Sequence, residues 1–528
     1  MKSIRPSLLL IASFVTIACA TNPVPATSAT SPQKPTLVVM FLVDQLRADI
    51  LDKYGDLFTG GFRRIRAEGY SYTNATHEHA VTETAVGHAS LSTGVYPNRH
   101  GIVSNQWYAK REGKWVLLSN VNDPNVKIVG APNLPGVSPY YLLRTGLADW
   151  MTAADPNSII ASVSGKDRGA IQMAAHTKGF VYWFEPTAGR FVTSTWYRAA
   201  DPDWITSFNN SLQRYRSDTV WASTVPRSML SRSNRDTIAT EGDGVHTFFP
   251  HTFGSESTAN AFWQWWSSTP DLDAATIDLA ETMVTSLRLG RDNSPDFLNI
   301  SASATDRVGH AYGPASREQL DNLLRLDREL GAFLDFLDKT VGKGKWTIML
   351  TADHGVLDSP EDLQARGEYG HRLTIAEKAK LDSLRQEADR SSDPRAAAVR
   401  LRDELRKLPI IGDAWTHEQL DSGQPADSFE ILQRRSRTPG REEGLFSREG
   451  VEMRFIPGIL SGPRGSSHGT PYFYDRHVPM IFMGPRIPEG RDSSHAATVD
   501  FAPTFSRILG IPFPNDLDGH PLTAVTGH

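Results

Sequence analysis

Uninterrupted apolar runs, each stopping at a polar residue, recur along this chain. Leu37–Val43 is wholly apolar and rich in branched side chains, the pattern of a strand covered on both faces of a parallel sheet, and it stops at Asp44. Residues 158–163, 296–300, Trp346–Thr351 and 478–484 repeat the pattern. Helical spacing fills the intervals. Ile277, Ala280, Met283, Val284 and Leu287 share one face of a helix over 274–289, and Leu320, Leu323, Leu324, Leu330, Phe333, Leu334 and Leu337 share one face of another. Ser316 and Gln319 have the spacing of a capping box before the second helix, and a C-terminal helix begins at 499–504. Strands alternating with helices over nearly the whole length, without an internal repeat, predict an α/β fold with a mostly parallel sheet covered on both faces.

Two tracts break the pattern. Residues 180–270 are rich in Trp and Ser without a clear period and read as an elaboration that shapes a pocket. Residues 361–407 are charged and helical in period, 413–448 read as loop, and the tract 357–465 as a whole reads as a surface insertion. With these two insertions, residues 35–528 read as one domain.

Ahead of that domain, Lys2 and Arg5 precede an apolar run over 8–15 that is too short to span a bilayer, so residues 1–20 have the form of an export signal. Ala18-Cys19-Ala20 is a cleavage site of the A-x-A kind. Ile17-Ala18-Cys19 instead resembles the end of a bacterial lipoprotein signal, which would make Cys19 a lipid anchor. Either reading exports the chain, to the periplasm or to an outer-membrane or extracellular position. The Pro, Thr, Ser and Ala stretch 21–34 then reads as a flexible tether.

Charge and cysteine content narrow the chemistry. The 60 acidic and 55 basic residues leave a net charge of −5, which offers no general attraction for nucleic acid or anionic membranes. Cys19 is the single cysteine, so a disulfide framework and a cysteine-rich zinc site are both excluded. Any metal must be held by His, Asp, Glu or hydroxyl oxygens. Such residues sit just past the strands: Asp44, then Asp306 and His310 one helical turn apart, then Asp353 and His354 before Gly355, with His468 beside Gly469. Alone, Asp44 could cap a helix and Asp353-His354 could be a turn. Strand ends of an open parallel sheet share one edge, however, and six His and carboxylate ligands suit two zinc ions with open positions.

Thr84 lies where a loop enters the small-residue stretch 89–93, with Gly87-His88 following. Helix-start N–H groups favour an anion there, and a hydroxyl so placed can be a nucleophile once its pKa is lowered. Lys166 and Arg168, on a Gly-flanked turn after a strand, can reach one anion together or be a solvated basic pair.

Taken together, these motifs resemble the alkaline phosphatase superfamily, and within it the threonine-nucleophile alkaline phosphatases, over essentially all of the chain past the export signal. The superfamily's metal ligands, an early strand-end Asp, an Asp-x-x-x-His pair, an Asp-His-Gly and a late His-Gly, match Asp44, Asp306/His310, Asp353/His354 and His468 in order. Its Thr-x-x-Gly-His nucleophile falls on Thr84, its substrate-binding Asn on Asn105 and its Lys-x-Arg on Lys166 and Arg168. The Cys/Ser-x-Pro-x-Arg motif of the sulfatase branch is absent, and 361–448 matches nothing in the resemblance. The resemblance implies a three-layer sandwich carrying two zinc ions. One would be held by Asp44, Asp353 and His354 beside Thr84, the other by Asp306, His310 and His468. It further implies hydrolysis of small-molecule phosphate monoesters through a phosphothreonine, with no nucleic acid or obligate protein partner. A phosphodiesterase or nucleotide pyrophosphatase on the same fold, and a non-catalytic metal- or phosphate-binding protein, stay open as alternatives.

Overall fold

The computed structural model describes residues 34–234, 238–242, 244, 246–254 and 259–526. The segment read as an export signal, Cys19 and nearly all of the stretch read as a tether therefore lie outside the described residues.

Nine strands form the central sheet: β1 (Leu37–Val43), β2 (Tyr70–Thr76), β3 (Ile160–Ser164), β4 (Phe180–Glu185), β5 (Arg190–Val192), β6 (Asp296–Ala302), β7 (Trp346–Thr351), β8 (Met480–Met483) and β9 (Gly490–Ala497). Their order across the sheet is β9-β2-β8-β7-β1-β6-β3-β4-β5. Every residue of β1 is buried, as a run without a polar face requires, and β1 pairs in parallel with β6 on one side and β7 on the other. Val43 lies beside Ala302 and Leu42 beside Thr351, so the chain leaves all three strands at one level of one edge. Asp44, the helix Ala304–Tyr312 and Asp353 follow at that level. Within this mostly parallel sheet, β8 runs antiparallel to β7 and β2, and β5 antiparallel to β4.

The tract read as an insertion from residue 180 begins with two strands of this sheet, β4 and β5. Their aromatic residues hide the strand pattern because they pack on further aromatics, Phe184 lying 5.0 Å from Trp266. β2 and β9 left no apolar run either: β2 alternates half-buried polar residues with buried ones, and β9 is an edge strand with an irregular register between Asp492 and His495. Residues 413–448 are also not simply loop. Ile411–Thr416 pairs antiparallel with Val451–Phe455, and Ser428–Ser436 is a helix. With the helices Ile375–Asp389 and Pro394–Leu405 they enclose a small core that includes Leu381, Leu401, Leu405 and Phe446. A two-stranded sheet buries only alternate residues of one face, so its sequence looks polar. This unit touches the segment leading to Thr84, since Ser436 Oγ accepts from the Ala80 N–H at 2.6 Å.

The long helix Arg317–Leu337 packs its leucines on the sheet. Ser316 Oγ accepts from the Gln319 N–H at 3.0 Å, but the Gln319 side chain donates to Thr305 O at 2.8 Å, so half of the expected capping box forms and the other half ties down the Asp306 helix. The same long helix offers the buried Asp327 carboxylate to the N–H groups of Thr59, Gly60 and Phe62 at 2.8, 2.7 and 2.8 Å, which anchors the start of the helix Gly61–Glu68. Replacing Asp327 by Ala strands three donors, so a loss of about 4 kcal/mol is expected, read as a lowered denaturation midpoint at unchanged slope.

Candidate active site

Thr84 is the first residue of the helix Thr84–Thr93, every residue of which is buried. Gly87 allows that helix to lie against the end of β7, where a Cβ at position 87 would collide with the Asp353 carbonyl. His88 then bridges the two: its Nδ1 lies 2.8 Å from Thr84 O and 3.3 Å from Asp353 Oδ2, and its Nε2 lies 3.0 Å from Ser301 Oγ on β6. The Thr-x-x-Gly-His spacing thus has a packing reason that fixes the hydroxyl beside the strand ends.

Two groups of ligands meet there. Asp44, Asp353 and His354 form one, with His354 Nε2 at 3.5 Å from Asp44 Oδ1 and 3.7 Å from Asp353 Oδ2. Asp306, His310 and His468 form the other: His310 Nε2 is 3.2 Å from Asp306 Oδ1 and 3.2 Å from His468 Nε2, and His468 Nε2 is 3.5 Å from Asp306 Oδ1. The groups adjoin, because the His354 and His468 rings stack at 3.6 Å. Each of these three imidazoles has Nδ1 against a backbone carbonyl, His310 on Ser466, His354 on Gly355 and His468 on Thr82, at 2.9, 2.9 and 2.7 Å. A carbonyl can only accept, so each Nδ1 donates a proton outward and each Nε2 is the ring nitrogen that faces inward. Three Nε2 atoms and three carboxylates converge, and among the described residues Asp44 Oδ1, Asp353 Oδ2 and His354 Nε2 are buried without a hydrogen-bond partner. Such a donor set fits divalent cations, with the backbone carbonyls orienting the imidazoles from outside.

Lys166 is the cation the chain itself supplies. Its Nζ lies 2.5 Å from Asp44 Oδ2, 2.6 Å from Asp306 Oδ2 and 3.3 Å from Thr84 Oγ1. The two carboxylates respond differently to this shared lysine. Burial, reinforced by Asp306 and Asp353, pushes the Asp44 carboxyl well above its usual range. Burial opposes ionisation of Asp306 too, but His310 and Lys166 together hold it well below that range. Asp353 is likewise held low against its burial by His354 and His88, while burial keeps His354 itself well below the usual imidazole range.

Asn105 and Arg168 are placed with free donors. The Asn105 Oδ1 accepts from the Ala85 N–H at 3.0 Å and its own backbone N–H is fixed by Glu83 Oε2 at 2.6 Å, and no hydrogen bond commits its amide N–H group among the described residues. Arg168, at the start of the helix Asp167–Ala174, has its nearest carboxylate in Asp167 at 3.6 Å, and its Nε has no partner among the described residues. No contact joins Arg168 to Thr84.

Two residues that sequence reasoning passed over organise the site. Gln45 has a left-handed backbone (φ 69°) and reaches both ligand groups: its N–H donates to Asp353 Oδ1 at 3.1 Å and its Nε2 to Asp306 Oδ1 at 2.8 Å. Gly309, in the middle of Asp-x-x-x-His, is the space its side chain occupies. Glu83, the residue before the helix, takes the Ser104 hydroxyl at 2.8 Å as well as the Asn105 N–H. A glutamine after a strand carries no motif, but a glycine between two ligands one turn apart marks close approach.

The fold and this edge define a class, and the family described as type I phosphodiesterase / nucleotide pyrophosphatase matches residues 38–407; the chain belongs to that family, within the alkaline phosphatase superfamily. Among particular relatives, the alkaline phosphatase PafA of Elizabethkingia meningoseptica is 32% identical over 98% of each chain. Alkaline phosphatase PhoV of Synechococcus elongatus is 32% identical over 93% of this chain and 92% of its own. The crystal structure of wild-type PafA superposes with a TM-score of 0.85 at 31% identity, covering 94% of this chain and 99% of that one. The chain is thus an enzyme of the alkaline phosphatase type.

Because Lys166 neutralises Asp44 and Asp306, Lys166→Ala should destabilise chelator-treated protein by about 3–5 kcal/mol, the cost of stranding buried charges. Added zinc should raise Tm more in this variant than in the wild type, since it replaces a missing charge as well as filling its own site. An equal rise in both would show that the lysine and the metal ligands are electrostatically independent.

Proposed function

We propose that this protein is an exported, zinc-dependent phosphatase that hydrolyses small-molecule phosphate monoesters through a phosphothreonine at Thr84. The observation that carries the reading is the position of Thr84 Oγ1, on the first residue of a buried helix and 3.3 Å from the lysine that both ligand groups share. Asp44, Asp353 and His354 would hold one zinc ion, and Asp306, His310 and His468 the other. Bound there, zinc lowers the pKa of an oxygen it touches and stabilises negative charge on a departing one.

The chain's own part follows from placement. Helix-start N–H groups and Lys166 favour negative charge on Thr84 Oγ1, which attacks phosphorus and displaces the alcohol. The Asn105 amide, held by Glu83 and the Ala85 N–H, and the cations Lys166 and Arg168 take the remaining phosphoryl oxygens. Attack of water on the phosphothreonine then returns the free threonine and phosphate. Two alkaline phosphatases aligned over more than nine-tenths of this chain support the monoester reading. The family description favours a second, diesterase reading. The signal-like segment 1–20 supports export to the periplasm, with Cys19 as a lipid anchor if it is the modified residue.

Acid quench during turnover should trap one phosphoryl group per chain, mapping to Thr84. Label on Thr82, or none on protein that turns over, would end the assignment. The two readings part on selectivity. A monoester offers the lysine and arginine one more charged oxygen than a diester, and a charge-assisted contact of this kind is worth about 1.5–3 kcal/mol, roughly tenfold to a hundredfold in rate. Lys166→Ala/Arg168→Ala should therefore lose kcat/KM on an aryl monoester far more than on the matching diester. Equal losses, or a wild type that prefers the diester, would favour the diesterase reading.

A further inference from the structure

Away from Thr84, the tract 357–465 gathers a second set of metal-type donors. His417, Glu442 and Glu452 bring a ring nitrogen and two carboxylate oxygens within 4.8 Å of one another. Ser447 stands among them. His417 Nε2 is 2.9 Å from Glu452 Oε1 and 3.7 Å from Glu442 Oε2. Ser447 Oγ is 2.6 Å from Glu452 Oε1, 2.8 Å from Glu442 Oε2 and 3.5 Å from His417 Nε2.

With both carboxylates ionised, these contacts cannot all be hydrogen bonds. The serine has one proton and lies within hydrogen-bond distance of two carboxylates, so one short O···O contact has only lone pairs between its atoms. Against two carboxylates the group offers one imidazole and one hydroxyl. Little water reaches the group to make up the difference, since the His417 and Glu442 side chains are only 16% and 10% exposed. Space is also kept open beside the carboxylates, because Gly444, at φ 69°, could carry a Cβ only at 2.9 Å from Glu452 Oε2.

We infer that His417, Glu442, Glu452 and the Ser447 hydroxyl form a further divalent-cation site. The imidazole among oxygen donors selects an ion of borderline softness such as zinc over magnesium or calcium, which take oxygen sets. Its structural effect follows from where the donors arise. His417 follows the strand Ile411–Thr416, and Glu452 lies on the partner strand Val451–Phe455. Glu442 exchanges both backbone hydrogen bonds with Tyr108, at 2.7 and 2.8 Å. Tyr108 lies on the strand Gln106–Arg111 that starts next to Asn105. An ion here fastens the insertion to the hairpin leading from the substrate-side asparagine.

The test uses full-length protein stripped with a chelator, titrated with zinc alone, desalted and assayed for bound metal by mass spectrometry. Wild type, His417→Ala, Glu442→Gln/Glu452→Gln and, for the ligands near Thr84, His354→Ala are compared. The wild type is expected to retain one equivalent of zinc more than either insertion variant and to show the larger zinc-dependent rise in Tm. His354→Ala should keep the insertion's equivalent, so a failure near Thr84 is told apart from a failure here. Should the double variant not fold, His417→Ala carries the comparison alone. Equal zinc content in wild type and His417→Ala would overturn the site, as would an extra equivalent taken up from magnesium or calcium but not from zinc.

Discussion

Three carboxylates, Asp44, Asp306 and Asp353, are buried at one edge of the sheet, and the remaining architecture answers the charge they bring. Burying a carboxylate without compensation costs several kcal/mol, so the edge is tolerable only with cations among the oxygens. The chain contributes Lys166, whose Nζ reaches two of the three. It also contributes three imidazoles, each locked by a backbone carbonyl so that Nε2 faces inward. One lysine cannot balance three carboxylates. The deficit makes the edge a candidate cation site, and positive charge there would favour the ionised form of a hydroxyl set beside it.

That arrangement demands that four separate stretches of chain arrive at the same level. The parallel register of β1 with β6 and β7 brings Asp44, the Asp306 helix and Asp353 out side by side. The Thr84 helix can join them only because Gly87 removes the side chain that would strike Asp353. Gln45 then ties the two ligand groups to each other through Asp353 and Asp306. A substitution at Gly87, Gly309 or Gln45 would therefore act on the geometry of the candidate ligands without replacing one.

Much of this was legible in the sequence because buried parallel strands are written as unbroken apolar runs. β1 and β7 end in Asp44 and in the Ala352-Asp353-His354 turn, so the ligands were found together with the strands that position them. The elements that escaped are those whose burial is partial or aromatic. β2 and β9 alternate polar residues near an open edge, β4 and β5 bury aromatics against aromatics, and the strand pair of the insertion covers a core on one face only. Gln45 and Glu83 escaped for another reason: they act by hydrogen bonds to residues distant in the chain or through an unremarkable backbone N–H, and neither leaves a periodic trace.

The insertion bears on selectivity through the same hydrogen bonds. Under the proposed reading, the edge of the sheet supplies a nucleophile and a set of cation ligands, and these do not distinguish one ester from another. Discrimination between a monoester and a diester would depend on the groups that face the non-reacting oxygens, and the position of the proposed Asn105 contact is set from two sides. Glu83 fixes its backbone from the nucleophile's side, while the Tyr108–Glu442 pairing fixes the strand that follows it from the insertion's side. Loosening the insertion should leave the chemistry at Thr84 available but blur the position of the Asn105 amide. The contrast between esters would then shrink before the rate on either one collapsed, because an amide displaced by about 1 Å weakens one contact to the phosphoryl group without disturbing the attacking oxygen.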